Sequence, residues 1–218
     1  MRVQLRRPRV PDVPAYRAYR PSPASLLHVS NAISYLSLVF GAMAIATAQS
    51  GAPHLAGALL AAAAVADTFD GKFARRFART PRQARAGGDL DSLVDACVFG
   101  MAPVGVMSAL APPVGGVAGL LWWLAAACYL IAVVTRLTFF NLEENPLAFV
   151  GVPTPAIALI WSSLLLVRPG AGVATITFAA CAVAMVAPLP IPRPRPAGLA
   201  LFAAWGAAAM VLHVLRAP

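Results

Sequence analysis

The chain has 218 residues, 60% hydrophobic and 11% charged, with a mean hydropathy of +0.75 and a formal net charge of +9. Soluble domains carry roughly 45–50% apolar and about 25% charged residues, so a soluble globule is excluded. Several apolar runs are about 20 residues long, enough to cross a hydrocarbon core about 30 Å thick. Backbone amides in lipid must pair within their own segment or around a closed barrel, and these Ala/Leu/Val runs lack the alternation of barrel strands. The expected fold is therefore all-α, a polytopic transmembrane helical bundle.

In chain order, residues 1–23 hold Arg2, Arg6, Arg7, Arg9, Arg17 and Arg20 among prolines and no apolar core. They read as a basic cytoplasmic arm, not a signal peptide. Spans are expected at 25–48, 53–76, 88–111, 116–140, 152–168, 171–188 and 197–216, six to eight in all, so that 24–218 form one membrane-embedded domain. A second basic cluster, Lys72, Arg75, Arg76, Arg79, Arg82 and Arg85, falls between the second and third spans. Two clusters separated by two spans share a side, and the positive-inside rule makes that side cytoplasmic, where they also meet anionic headgroups. Arg136, Arg193 and Arg195 fall on the same side, leaving only Arg168 and Arg216 outside. Topology and lipid thus account for the cations, and nucleic acid is not expected as a partner. The segment 152–188 turns within Arg168-Pro169-Gly170-Ala171-Gly172, so its two spans are barely long enough and are expected to be tilted or partly re-entrant. PLPIPRPRP at 188–196 reads as an extended Pro-rich linker. Cys97, Cys128 and Cys181 lie in apolar segments and read as packing residues, His28, His54 and His213 as interfacial residues, and Trp122, Trp123 and Trp161 as belt or core.

The acids carry the chemistry. Of eight, five fall in the window 67–95: Asp67, Asp70, Asp89, Asp91 and Asp95. A carboxylate at membrane depth costs a few kcal/mol, about 2.5–3.5 for Asp on insertion scales, so such residues face a wet cavity or a partner. Asp67 and Asp70 are i,i+3 on the second span, and Asp91 and Asp95 are i,i+4 on the third, so each pair shares a helix face. Four carboxylates brought together need a counter-ion. An all-oxygen set without His or Cys selects a hard divalent cation, Mg²⁺ or Mn²⁺, and four carboxylates suit a two-metal site acting on phosphate oxygens. Gly71, Ala74 and Gly87 leave room for a bulky ligand, and Arg75 can grip a phosphate or a carboxylate. Two other readings stay open at this point: a salt-bridged loop with the neighbouring cations, and a cation-transport pathway.

DTFDGKFAR at 67–75 followed by GDLDSLVD at 88–95 resembles the signature of the CDP-alcohol phosphotransferases, Asp-x-x-Asp-Gly-x-x-Ala-Arg and then Gly-x-x-x-Asp-x-x-x-Asp, with Gly87 as the second element's glycine. All the specified positions match; only the gap between Arg75 and Gly87 is longer than usual. LDSLVDACVFGMAPV at 90–104, TRLTFFN at 135–141 and FVGVPTPAIA at 149–158 are similar to segments of the phosphatidylserine synthases, with Val98, Thr138 and Phe139 as departures. The resemblance implies transfer of a phosphatidyl group from CDP-diacylglycerol to the hydroxyl of L-serine, with release of CMP at the cytoplasmic face of the cell membrane. It implies two divalent ions among Asp67, Asp70, Asp91 and Asp95, with Asp95 also acting as the base, and a homodimer. It places the nucleotide and its phosphates against Gly71, Ala74, Arg75 and Gly87. Arg136 and Asn141 are candidates for the acceptor's carboxylate. Another alcohol, such as glycerol 3-phosphate or inositol phosphate, is the alternative acceptor.

Overall fold

The computed structural model describes residues 22–142, 148–192 and 194–217. The arm expected over 1–23 lies almost wholly outside these residues, as do Glu143, Glu144 and Arg193. Among the described residues seven helices follow one another: α1 Ala32–Gln49, α2 Pro53–Ala74, α3 Pro81–Leu110, α4 Gly116–Leu142, α5 Thr154–Leu165, α6 Ala171–Val186 and α7 Pro196–Arg216. Two short 3₁₀ turns, Pro23–Leu26 and Val29–Asn31, lead into α1. This is the expected all-α membrane architecture.

Prolines stand at the start of α2, α3, α5 and α7, where the missing N–H is one of the helix's orphan donors in any case, so a chain rich in proline keeps its helices whole. The third helix begins at Pro81, earlier than the apolar run suggests. Thr80 accepts from the Gln83 backbone and the Gln83 side chain accepts from the Thr80 N–H, a capping box that holds a polar turn outside the apolar segment.

Length and hydropathy suffice for a membrane crossing in Val29–Gln49, Pro81–Leu110, Gly116–Leu142 and Pro196–Arg216. The second helix has 22 residues but carries His54, Asp67, Asp70 and Lys72. The expected spans 152–168 and 171–188 are replaced by helices of 12 and 16 residues, about 18 and 24 Å long at 1.5 Å per residue. Just outside these two helices an antiparallel ribbon forms, β1 Ala148–Val150 paired with β2 Pro190–Pro192, with Phe149 opposite Ile191. The Pro-rich linker is thus one strand of a clasp that joins the α4–α5 connection to the α6–α7 connection. Gly151 adopts φ +72, and its N–H donates to the Leu189 carbonyl at 3.0 Å, closing the clasp where a Cβ would strike the Met185 carbonyl.

The second helix is the axis of the bundle. Its Ala-rich face, Ala56, Gly57, Leu60, Ala61, Ala63 and Ala64, is buried, and it packs on α1, α5 and α7. The first helix answers with a stripe of small residues, Ser34, Ser37, Gly41, Ala44 and Ala48, spaced by three or four. Small side chains let two backbones approach closely in lipid, where apolar area alone gives no driving force between helices.

The third helix holds a π turn over Ala96–Met101, directly after Asp95. Pro103 has no N–H to offer the carbonyl four residues earlier, that of Phe99, and the Tyr129 hydroxyl of α4 donates to that carbonyl instead. Tyr129 belongs to a buried aromatic group in which the Phe178 ring lies 4.5 Å from Trp161, 5.2 Å from Tyr129 and 5.4 Å from Trp122. Trp123, by contrast, is exposed. Cys181 is buried as expected, but Cys97 and Cys128 lie on outward faces and do not pack. His54 and His213, expected near the interface, are both buried and meet one another.

Candidate functional site

The aspartates converge where α2, α3 and the start of α1 meet. One carboxylate oxygen from each of Asp67, Asp70 and Asp91 lies within 4.8 Å of the others. Asp95 lies against Asp67 and completes the four-carboxylate group. The i,i+3 and i,i+4 spacings read from the sequence do put both pairs on facing sides of two antiparallel helices. Asp89 is exposed and stands apart.

Two of the carboxylates are held by hydroxyls from other elements. Ser34 donates to Asp70 Oδ2 at 3.0 Å, and Thr154 donates to Asp95 Oδ2 at 3.2 Å. Asp95 is 7% exposed, and its Oδ1 is buried without a hydrogen-bond partner. Three carboxylates this close, with an orphaned fourth beside them, form a site of concentrated negative charge built only of oxygen donors. That donor set suits a hard divalent cation.

A cavity of about 540 Å³ opens beside the carboxylates. Its polar end is formed by Asp67, Asp91, Asp95, Thr68, Ser92, Thr154 and Arg136, and its walls by Phe140, Phe149, Ile191, Leu199 and Phe202. The clasp and the start of α7 therefore close it from above. Arg136 is 6% exposed and is the only cationic side chain on the wall among the described residues; its Nε has no hydrogen-bond partner. Its charge is set against Asp95 and Asp67.

The expected ligand residues divide about the aspartates. Asp67, Asp91, Asp95 and Arg136 line the cavity; Gly71, Ala74, Arg75, Gly87 and Asp70 do not. Of the latter, Asp70 meets Ser34 of α1, and a Cβ on Gly87 would come 3.2 Å from Asn31 Oδ1 in the turn before α1, whereas one on Gly88 would meet nothing. Gly87 is thus the glycine that packs. A Cβ on Gly71 would sit 3.5 Å from Arg75 Nη1. Asn141 is displaced from its expected place: its Nδ2 donates to Ser92 Oγ at 2.8 Å, so Ser92, not Asn141, reaches the cavity. Pro153 caps and Pro155 opens α5, and between them they present Thr154.

Sequence reasoning missed Asn31, Ser34, Ser92 and Thr154. A signal existed for the first two, since Asn31, Ser34 and Ser37 recur every third residue along one face of an otherwise apolar segment.

Residues 27–189 match the family model described as CDP-alcohol phosphatidyltransferase. The chain is 35% identical over 161 residues to the CDP-diacylglycerol–serine O-phosphatidyltransferase of Mycobacterium leprae, covering 68% of this chain and 50% of that one. It is 36% identical over 149 residues to the same-named protein of Mycobacterium bovis, covering 63% and 49%. With that of Helicobacter pylori it shares 32% over 133 residues, covering 60% and 54%. The chain spans about half the length of the curated relatives it matches.

Proposed function

The chain belongs to the CDP-alcohol phosphatidyltransferase family, and from that premise we propose that it transfers a phosphatidyl group from CDP-diacylglycerol to the hydroxyl of L-serine, releasing CMP. The observation that carries this reading is the juxtaposition of the Asp67–Asp70–Asp91 cluster with a cavity that holds Asp95 and the buried Arg136. Phosphatidylserine synthase activity belongs to the named relatives and supports the choice of serine.

Asp67, Asp70, Asp91 and Asp95 would hold two divalent ions, Mg²⁺ or Mn²⁺, whose positive charge offsets that building on the diphosphate oxygens as CMP leaves. The chain's own residues do the rest. Asp95 accepts the proton of the acceptor's hydroxyl as its oxygen bonds to the β-phosphorus of CDP-diacylglycerol, and the phosphoanhydride bond to CMP breaks. Gly71, Ala74, Arg75 and Gly87 take the nucleotide on the α1 side, while the cavity takes the alcohol. The aspartates between them set the two substrates on opposite sides of the reacting phosphorus.

Arg136 is the receptor proposed for the acceptor's carboxylate. A buried guanidinium with a free N–H favours a planar anion. A phosphorylated acceptor calls for further cations, and among the described residues Arg82 and Arg85, near the start of α3, are exposed and off the cavity wall. This supports serine over glycerol 3-phosphate or inositol phosphate. The loop cations Lys72, Arg75 and Arg76 follow the aspartates at one end of α2, and Arg168 lies by His54 at the other. By the positive-inside rule that asymmetry supports a cytoplasmic active site.

The test is CMP release by the purified chain with CDP-diacylglycerol and Mg²⁺ or Mn²⁺, comparing L-serine, glycerol 3-phosphate, inositol phosphate and no acceptor. Serine-dependent release is expected. Release with another alcohol would keep the site and discard the acceptor, and no release from folded, metal-binding protein would return the aspartates to an ion-pathway role.

A further inference from the structure

Thr154 is the first residue of α5 and 1% exposed, and its hydroxyl takes one oxygen of Asp95 and leaves the other without a partner. We propose that Thr154 is a positioning residue for the transfer reaction, fixing the Asp95 carboxylate so that Oδ1 alone is presented to the acceptor's hydroxyl. This inference rests on the phosphatidyl-transfer reading of the site.

The argument starts from what a lone aspartate would do. Its terminal torsion is broad and roughly two-fold, so an untethered carboxylate offers either oxygen and samples many orientations. At Asp95 one oxygen is taken up by the Thr154 hydroxyl. The remaining one is buried and has no hydroxyl, amide or guanidinium donor, a costly arrangement unless an ion or a substrate supplies the partner. A substrate hydroxyl arriving at that oxygen supplies one.

Thr154 is well suited to hold a carboxylate still. It lies between Pro153 and Pro155, so its own backbone is restricted by the proline that follows it. Its β-branched side chain is stiff at χ1, and its burial leaves no room for another rotamer. The bond also spans two elements, from α5 to α3, 59 residues apart. Around Asp95 the other charged groups are Asp67, whose carboxyl lies against it, Asp70 and Arg136; the Thr154 hydroxyl is a neutral donor among them.

A purely structural bond between α3 and α5 would look the same in the coordinates but would behave differently on mutation. Thr154→Val keeps the shape and removes the hydroxyl, and Thr154→Ser keeps the hydroxyl. For the positioning role, kcat for CMP release falls about 10- to 100-fold in Thr154→Val, while KM for the alcohol stays within about twofold. Thr154→Ser restores kcat to within about threefold of the native value. Should the valine variant not fold, Thr154→Ala carries the same comparison. Native kcat in Thr154→Val, or a loss that the serine variant does not restore, overturns the inference while leaving the transfer reading intact, because Asp95→Asn still abolishes release. A native protein that is folded, binds Mn²⁺ and releases no CMP with any alcohol overturns the transfer reading, and this inference with it.

Discussion

His54 and His213, 159 residues apart in sequence, meet through their Nδ1 atoms at 3.3 Å at the end of the bundle remote from the aspartates. One proton arrangement satisfies every bond in the group. The Arg168 guanidinium can only donate, so His54 Nε2 accepts from it at 3.4 Å; His54 Nδ1–H then donates to His213 Nδ1, and His213 Nε2–H donates to the Ser162 carbonyl at 2.9 Å. The chain of bonds fastens α2 and α7 to the end of α5.

Gly57 makes that chain possible, because a Cβ there would overlap the His213 ring. Gly57→Ala should therefore destabilise the protein, and His213→Ala should cost about 2–4 kcal/mol through a cavity and an orphaned carbonyl. The two effects should not add: with the imidazole gone the new methyl has space, so the double variant should lose less than the sum. Denaturation of the three variants in detergent checks this, and strict additivity would mean that ring and glycine do not constrain one another.

The carboxylate cluster predicts a split between two asparagine variants. Asp95→Asn removes the group assigned to the acceptor's proton and should lower kcat by about 10²–10⁴ with the fold retained. Asp67→Asn should in addition raise the Mn²⁺ concentration needed for half-maximal rate. Full activity in both would remove the metal assignment.

Ser34 holds Asp70 from α1, so Ser34→Ala should weaken Mn²⁺ binding about tenfold without unfolding the chain. Titration calorimetry reads this directly. Unchanged affinity would make the hydroxyl a packing detail.

How far the sequence could foretell this site depends on whether a residue's role is local. The aspartate pairs were legible because helix periodicity alone puts Asp67 with Asp70 and Asp91 with Asp95 on shared faces. Thr154 was not, and the polar stripe of Asn31, Ser34 and Ser37 showed a face but not its partner, since a hydroxyl in an apolar segment gains its meaning from a carboxylate on another helix. The same holds for the His54–His213 contact and for the β1–β2 clasp, whose partners are far apart in sequence. The boundaries of the short helices α5 and α6 were blurred because apolar residues run on past the last helical turn, at Leu166 and Val167 after α5 and at Ala187 and Leu189 on the way from α6 into the clasp.

Arg136 is predicted to act on the acceptor and not on the lipid nucleotide. Arg136→Lys keeps a charge but loses the planar fork, so KM for serine should rise about tenfold or more while KM for CDP-diacylglycerol changes little. Parallel rises in both constants would place the guanidinium outside the acceptor pocket.

The π turn after Asp95 yields the last prediction. Because Pro103 offers no N–H, the Phe99 carbonyl depends on the Tyr129 hydroxyl, and Tyr129→Phe leaves a buried acceptor unpaired at a cost of about 1–3 kcal/mol. Pro103→Ala returns an N–H to the position from which an α-helix would serve that carbonyl. In the Pro103→Ala background, Tyr129→Phe should therefore cost markedly less, a coupling that a double-mutant cycle of unfolding measurements detects. If the cost is the same in both backgrounds, the proline is not what leaves Phe99 in need of Tyr129, and the π turn must be set by packing of Gly100 on Val133 instead.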